Sequence, residues 1–282
     1  MPDTAIDAVK MFKYRDDDIL IASYPKCGTH WINEVIQLMI HGGDPQQLDD
    51  KHRRVCLEIE DTIDISKAGQ VKPSVLLVNE DPSPRVLMTH LTPGYLSEET
   101  WKMRIPVIYI FRDPRDVCLS FYKFLRQFFV GENEPFLEGV SFEQFLLDFI
   151  EGNVPFSGWC EHALSYEDCW KRGENILFIT YEDMNRDLSS VITAVGKHIG
   201  CPISDDVMEK VIANSTKEAM QKNYNAKEDK TSKLKVDVSK FVNTGVSGNW
   251  EKVHSDVDWC TLNSVFKEKV KDSEFAQKYF DL

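Results

Sequence analysis

The sequence predicts one α/β domain built on an open parallel sheet, with a phosphate-type turn after its first strand. Three observations carry that expectation. The apolar run Ile19 to Ala22 is broken by Pro25 and Gly28 and followed at once by helix-spaced apolar residues. Later apolar runs likewise end in polar tips, as the strands of such a sheet do where functional groups collect. A length of 282 residues with 42% hydrophobic content suffices for one large core. The expected division is an N-terminal segment, 1–17, and one domain, 18–282.

Residues Met1 to Asp17 are polar and mixed, and read as a loosely held terminus in which Phe12 and Tyr14 either pack on the body or edge a pocket. After the first strand, Trp31, Ile32, Val35, Ile36, Leu38 and Met39 make one wide apolar helix face, stopped by Gly42 and Gly43. The turn between them aims roughly four unpaired backbone N–H groups outward. Such a helix start attracts anions through its donors and its dipole. Lys26 adds a full charge, Gly28 close backbone approach and Thr29 a hydroxyl. Either this is an anion site, or Lys26 merely caps a solvated turn. It is P-loop-like in position only, because Lys26 precedes the single glycine and no Gly-Lys-Ser/Thr ending follows.

His41 to Ser74 reads as a charged excursion with short helical pieces. Arg85 to His90 is a second apolar run with a polar end. His90 there is either a base for a bound hydroxyl or a histidine satisfied by a neighbouring loop. Pro106 to Arg112 is the most strand-like run, followed by Pro114 at a helix start. Arg112 offers a fork suited to phosphate and Ser120 a neutral donor; alternatively Arg112 pairs with Asp116. Gly131 to Gly139 reads as a loop, and Phe142 to Ile150 and Gly158 to Lys171 as packing helices. Ile176 to Tyr181 is a further strand, and Leu188 to Ile199 an amphipathic helix closed by Gly200 and Pro202. Lys217 to Thr244 is charged and reads as a loop or lid; a helix near Thr261 to Val270 closes the chain.

The formal charge of -13 disfavours nucleic acid, an anionic membrane or a long acidic polysaccharide as partner, but not a small anion in a local basic pocket. No signal-type N-terminus and no run of about 18 apolar residues occurs, so a cytoplasmic, unsecreted protein is expected. The seven cysteines are scattered without a Cys-x-x-Cys pair, indicating neither a disulfide framework nor a zinc site. Cys27, at a helix start beside a lysine, is either a thiol of lowered pKa or a small residue tolerated in the turn.

Five segments, taken together and in order, resemble the cytosolic sulfotransferases: Tyr24 to Trp31, Thr89 to Leu91, Phe111 to Ser120, Tyr181 to Met184, and Gly245 to Trp250. The resemblance implies a parallel sheet with helices on both faces. It also implies transfer of the sulfuryl group of 3′-phosphoadenosine 5′-phosphosulfate (PAPS) to a hydroxyl or amine, without a metal, leaving adenosine 3′,5′-bisphosphate (PAP). By position it implies Lys26 as the lysine stabilising the leaving oxygen, Cys27, Gly28, Thr29 and His30 around the 5′-phosphate, and Trp31 and Tyr181 at the base. Arg112, Ser120 and Ser215 would hold the nucleotide together with Gly245, and Ser120 would also engage the catalytic lysine. His90 would be the general base, and Phe124, Phe241, Met88 and His90 would line the site of a small, largely apolar acceptor.

Met88 stands where the family has lysine, and Asn243-Thr244-Gly245 where it has Arg-Lys-Gly. Each lost charge-assisted contact removes about 1.5–3 kcal/mol of donor binding unless other lysines, such as Lys233 or Lys235, replace it. Thr216 stands where an aromatic is usual. The family's dimerisation motif appears as Glu251, Ser255, Asp256 and Cys260, so a monomer or a different dimer is expected. The competing reading is a sulfotransferase-like nucleotide-binding protein with weak or lost catalysis. A magnesium-dependent phosphotransferase ranks below both, because the hydroxyl after a Gly-Lys is absent.

Overall fold

The computed structural model describes residues 5–48, 56–58, 74–126, 129–130, 134–135, 137–226, 247–253 and 259–280. Four parallel strands form the central sheet: β1 (Ile19–Ser23), β2 (Val86–Thr89), β3 (Val107–Phe111) and β4 (Ile176–Thr180), in the order β2-β1-β3-β4. Ile21 lies opposite Met88 on one side and Ile108 on the other, and Phe111 lies opposite Thr180. This register brings all four carboxyl ends to one edge. The chain leaves β1 for β2 on one side and returns across it to β3, so the connections reverse direction beside β1. Crevices at such a reversal are where open α/β sheets bind ligands.

Every residue of β1 and β3 is buried, which requires cover on both faces of the sheet. On one face, Tyr109 and Phe111, two apart and so on the same side of β3, meet Tyr166 at 4.6 Å and Trp159 at 6.4 Å between ring centroids. Both partners belong to the helix Trp159–Lys171. On the other face, the helices Thr29–Ile40 and Leu188–His198 pack so closely that a Cβ on Gly196 would lie 3.2 Å from Cε of Met39.

The helices that frame the site begin on local sequence signals. Pro114–Leu125 has Asp113 as N-cap, its side chain accepting from the Arg115 amide at 2.9 Å, and proline at the first turn. Tyr181–Arg186 starts directly from β4, with Thr180 accepting from the Asp183 amide at 3.0 Å. Thr29–Ile40 lacks a side-chain cap and starts from Gly28, whose backbone is left-handed at φ 105°. The Trp31 and Ile32 amides return to the Gly28 carbonyl at 3.0 and 3.2 Å.

Three elements differ from the sequence reading. The N-terminal segment forms a helix, Ala5–Lys10, and Val9, Phe12 and Tyr14 are buried, because this part packs on the short helices Ser74–Leu77 and Pro93–Tyr95 rather than hanging loose. Lys217–Ala226 is helical, with Met220 buried, so the reading of a loop from Lys217 onward is wrong over its first ten residues. The loop read at Gly131 to Gly139 carries a short antiparallel pairing of Phe129–Val130 with Glu134–Pro135. Sparse apolar patterning in the two helical stretches hid the few inward residues, such as Val9 and Met220, that anchor them.

The amino ends of β1 and β2 are tied by a buried ion pair. Arg85 donates to Asp18 through Nε at 2.8 Å and through Nη2, and Nη2 also reaches the Lys13 carbonyl at 3.1 Å. The Phe12 ring lies 4.9 Å beneath the guanidinium. The paired side chains are 2% and 0% exposed, so removing one strands the other without water. Arg85→Ala is expected to cost about 3–5 kcal/mol in urea unfolding; a loss below about 1 kcal/mol, the scale of a surface pair, would contradict this.

Candidate active site

The site is built on a left-handed turn between β1 and the helix Thr29–Ile40. Lys26 has φ 71°, a region that costs a non-glycine residue roughly 1–2 kcal/mol. Its carbonyl accepts from Arg112 Nη1 at 2.9 Å, which holds the turn in that shape. Two residues on, glycine is obligatory: a Cβ on Gly28 would meet the Tyr181 ring at 2.7 Å. Thr29 closes the turn from below, its hydroxyl 2.7 Å from that of Ser23.

Arg112 stands at the end of β3 and is 8% exposed. Its guanidinium lies 4.1 Å from the Tyr181 ring centroid, and Nη2 is 4.0 Å from Asp116 Oδ2. Nε is buried with no hydrogen-bond partner among the described residues. An arginine held in place with a donor unused is suited to an anion that brings its own acceptors. Asp116 also clamps the stretch before Trp250, accepting from the Gly248 amide at 2.7 Å and the Trp250 amide at 3.1 Å. The Trp31 ring meets Tyr181 edge to face at 5.5 Å, and its indole nitrogen is likewise buried and unpartnered.

Asp116, Ser120 and Phe124 recur at four-residue spacing on Pro114–Leu125 and therefore share one helix face. Phe124 meets the turn directly, with the Lys26 ammonium 4.4 Å from its ring centroid. Burial pushes the Lys26 pKa down to about 8, and the Arg112 charge adds to the effect. The lysine is thus charged at neutral pH but close to losing its proton.

His90 follows β2, on the far side of β1. Its Nδ1 lies 2.8 Å from the Ser23 carbonyl, an atom that can only accept. Nδ1 therefore carries the hydrogen of the neutral ring, and Nε2 holds the lone pair. Burial pushes the pKa down to about 4; the bond to Ser23 opposes this and Lys26 adds to it. His30, in the first turn of its helix, is lowered to about 4 by burial, Lys26 and His90 in turn. Both rings are neutral at pH 7, leaving Lys26 and Arg112 as the cationic members of this group.

The remaining sequence-predicted positions fall as follows. Cys27 is fully buried and burial raises its thiol pKa strongly, so it is the small packed residue and not an activated thiol. Met88 is buried in β2, two residues before His90. Ser215 ends the helix Asp205–Asn214, its hydroxyl directed to the Ile212 carbonyl at 3.5 Å rather than to a member of the cluster. Phe241 and Gly245, with Lys233, Lys235, Asn243, Thr244, Ser255 and Asp256, lie outside the described residues.

Sequence reasoning missed the surroundings of His90. Phe156, at φ 69°, meets the His90 ring edge to face at 5.5 Å. His162 Nε2 reaches the His90 carbonyl at 3.0 Å, and Glu58 reaches its amide at 2.7 Å. Only a three-dimensional pairing joins these residues to β2, and no local motif marks them.

A left-handed turn, a buried arginine and a neutral histidine lie at the switch point of an open parallel α/β sheet. The comparisons supply the family. A family model described as the sulfotransferase domain matches residues 16–274. Sulfotransferase 1 family member D1 of mouse is 31% identical over 94% of this chain and 87% of its own length. Sulfotransferase 1E1 of Cavia porcellus is 32% identical over 87% and 80%. Among solved structures, mouse sulfotransferase SULT7A1 complexed with PAP superposes with a TM-score of 0.75 at 24% identity, covering 98% of this chain and 93% of that one. A retinol dehydratase complex with androsterone and the inactive cofactor PAP gives 0.74 at 20% identity, covering 95% and 85%. The chain belongs to the sulfotransferase family and is an enzyme of sulfuryl transfer. No described helix is long and apolar enough to cross a membrane.

Proposed function

We propose that the protein moves the sulfuryl group of PAPS to a hydroxyl or amine of a small, largely apolar acceptor, with His90 as base and Lys26 as electrostatic catalyst. The observation that carries this reading is the state of His90: a neutral ring whose Nδ1–H is committed to Ser23, beside a charged lysine on an anion turn. The residues present fit the nucleotide. Arg112 brings a buried donor without a partner among the described residues, Gly28 lets the Tyr181 ring close against the turn, and Trp31 supplies an aromatic ring for a base. Once bound, PAPS supplies the activated sulfuryl group and a phosphate as leaving group. The protein's own part is to hold that phosphate at the helix start, keep charge on Lys26 where negative charge grows, and accept the acceptor's proton at His90 Nε2. Phe124, only partly buried, offers apolar surface for the acceptor. The helix face that Ser120 shares with Phe124 supports a role for Ser120 beside the same lysine.

Removing the imidazole removes the proton acceptor. His90→Ala is expected to reduce PAP release from PAPS, measured with small phenols and alcohols, by about a hundredfold or more while PAP still binds. Turnover within a few-fold of the parent would exclude His90 as base.

Lys26 adds a pH dependence of known sign. Its lowered pKa means that the charge is present below about 8 and lost as pH rises through that value. The profile of kcat/KM for PAPS, which reports the free enzyme, should therefore fall on its alkaline side near pH 8. Lys26→Arg, charged throughout, should abolish that limb even at reduced rate; an unchanged limb would assign it to another group.

A further inference from the structure

The stretch Cys56 to Glu58 runs beside the outer edge of β2. The Leu57 amide donates to the Met88 carbonyl at 2.8 Å, and the Leu57 carbonyl accepts from the Val75 amide at 3.2 Å. Leu57 itself is buried. This anchoring delivers the next side chain, Glu58, to the end of β2, where it uses both oxygens. Oε1 accepts from the His90 amide at 2.7 Å and Oε2 from the Thr89 hydroxyl at 2.9 Å. The Thr89 oxygen in turn accepts from the Leu91 amide at 3.1 Å.

The opposite side of the same backbone is also held. His162 Nε2 donates to the His90 carbonyl at 3.0 Å, its Nδ1 accepting from the Tyr109 hydroxyl at 2.8 Å. The Tyr166 hydroxyl donates to the Leu91 carbonyl at 2.7 Å. The peptide groups before and after His90 are thus each fixed by side chains from elsewhere in the chain.

An edge strand needs only some acceptor for its outward amide, and water or a backbone carbonyl would serve. A carboxylate is a costly choice, since burial pushes Glu58 up to about 7 against the opposing pull of its hydrogen bonds. What the carboxyl group adds is two-point holding of consecutive residues, charge-assisted in its ionised form. The His90 ring hangs from that backbone and must place Nδ1 within 2.8 Å of the Ser23 carbonyl, so a small shift of the peptide breaks the contact that sets its tautomer.

We propose that Glu58 is a positioning residue for His90: by gripping the His90 amide and the Thr89 hydroxyl it keeps Nδ1–H on Ser23 and the lone pair on Nε2. The catalytic consequence rests on His90 being the base, whereas the tautomer is an independent observable. The test is long-range proton–nitrogen correlation NMR on the full chain labelled with ¹⁵N-histidine at pH 7, with His90→Ala identifying the His90 signals by their loss. The parent should show one tautomer, protonated at Nδ1. Glu58→Ala should convert it to a mixture and lower kcat about ten- to hundredfold, with PAP affinity and the KM for PAPS within about twofold. Glu58→Gln, which keeps an acceptor for the amide and a polar partner for Thr89, should preserve the single tautomer and most of kcat.

An unchanged tautomer in Glu58→Ala would overturn the proposal, as would a parallel loss of kcat and PAP affinity. Should Glu58→Ala not fold, Thr89→Val removes one of the two contacts. It should move the tautomer part of the way, and a parent-like spectrum there is equally adverse. If His90→Ala retains turnover, the base assignment fails while the tautomer result still decides the role of Glu58.

Discussion

The Arg112 guanidinium on the Lys26 carbonyl is the contact on which the site depends. It fastens the end of β3 to the turn after β1, across the point where the sheet's connections reverse. It holds Lys26 in its left-handed conformation and, with the Ser23–Thr29 bond, fixes the helix start at Thr29. The same guanidinium lies on Tyr181 at the end of β4 and beside Asp116. Three strand ends and the clamped stretch before Trp250 therefore converge on one side chain. Geometry made by long-range contacts of this kind is rigid before a ligand arrives, which is what positioning requires.

Burial then sets the charges. The chain carries a formal charge of -13, yet the group formed by Lys26, His30, His90 and Arg112 holds only basic residues. Desolvation neutralises the two imidazoles and brings Lys26 near its titration point. A neutral imidazole accepts a proton and a charged lysine stabilises an anion. Low dielectric thus divides the labour among residues that would all be partly or wholly cationic in acid solution.

Most of this was legible in the sequence wherever the signal was local. The four strands, the glycine of the turn, Pro114 behind its capping aspartate, and the polar strand ends all follow from short-range periodicity and turn chemistry. Arg112 and His90 were legible as candidates, but their alternatives were not separable, and Arg112 in fact combines both: it holds Lys26 and lies near Asp116. Glu58 and His162 were not legible at all. They reach His90 across 32 and 72 residues of chain, through a backbone amide and a backbone carbonyl that no side-chain pattern encodes. The helix Lys217–Ala226 and the packed N-terminus were missed for a related reason: one or two inward residues, such as Met220 or Val9, anchor segments that are otherwise polar.

The central claim is that the turn and Arg112 form a site for a nucleotide bearing a 3′-phosphate, despite Met88, Asn243 and Thr244 standing where basic residues are usual in the family. Calorimetric titration with PAP, and in parallel with AMP, which lacks only the 3′-phosphate, tests it most directly. The account predicts saturable binding of PAP and a loss of affinity for AMP of about tenfold or more, the scale of one charge-assisted contact. Equal affinity for the two, or no binding of either, would contradict it.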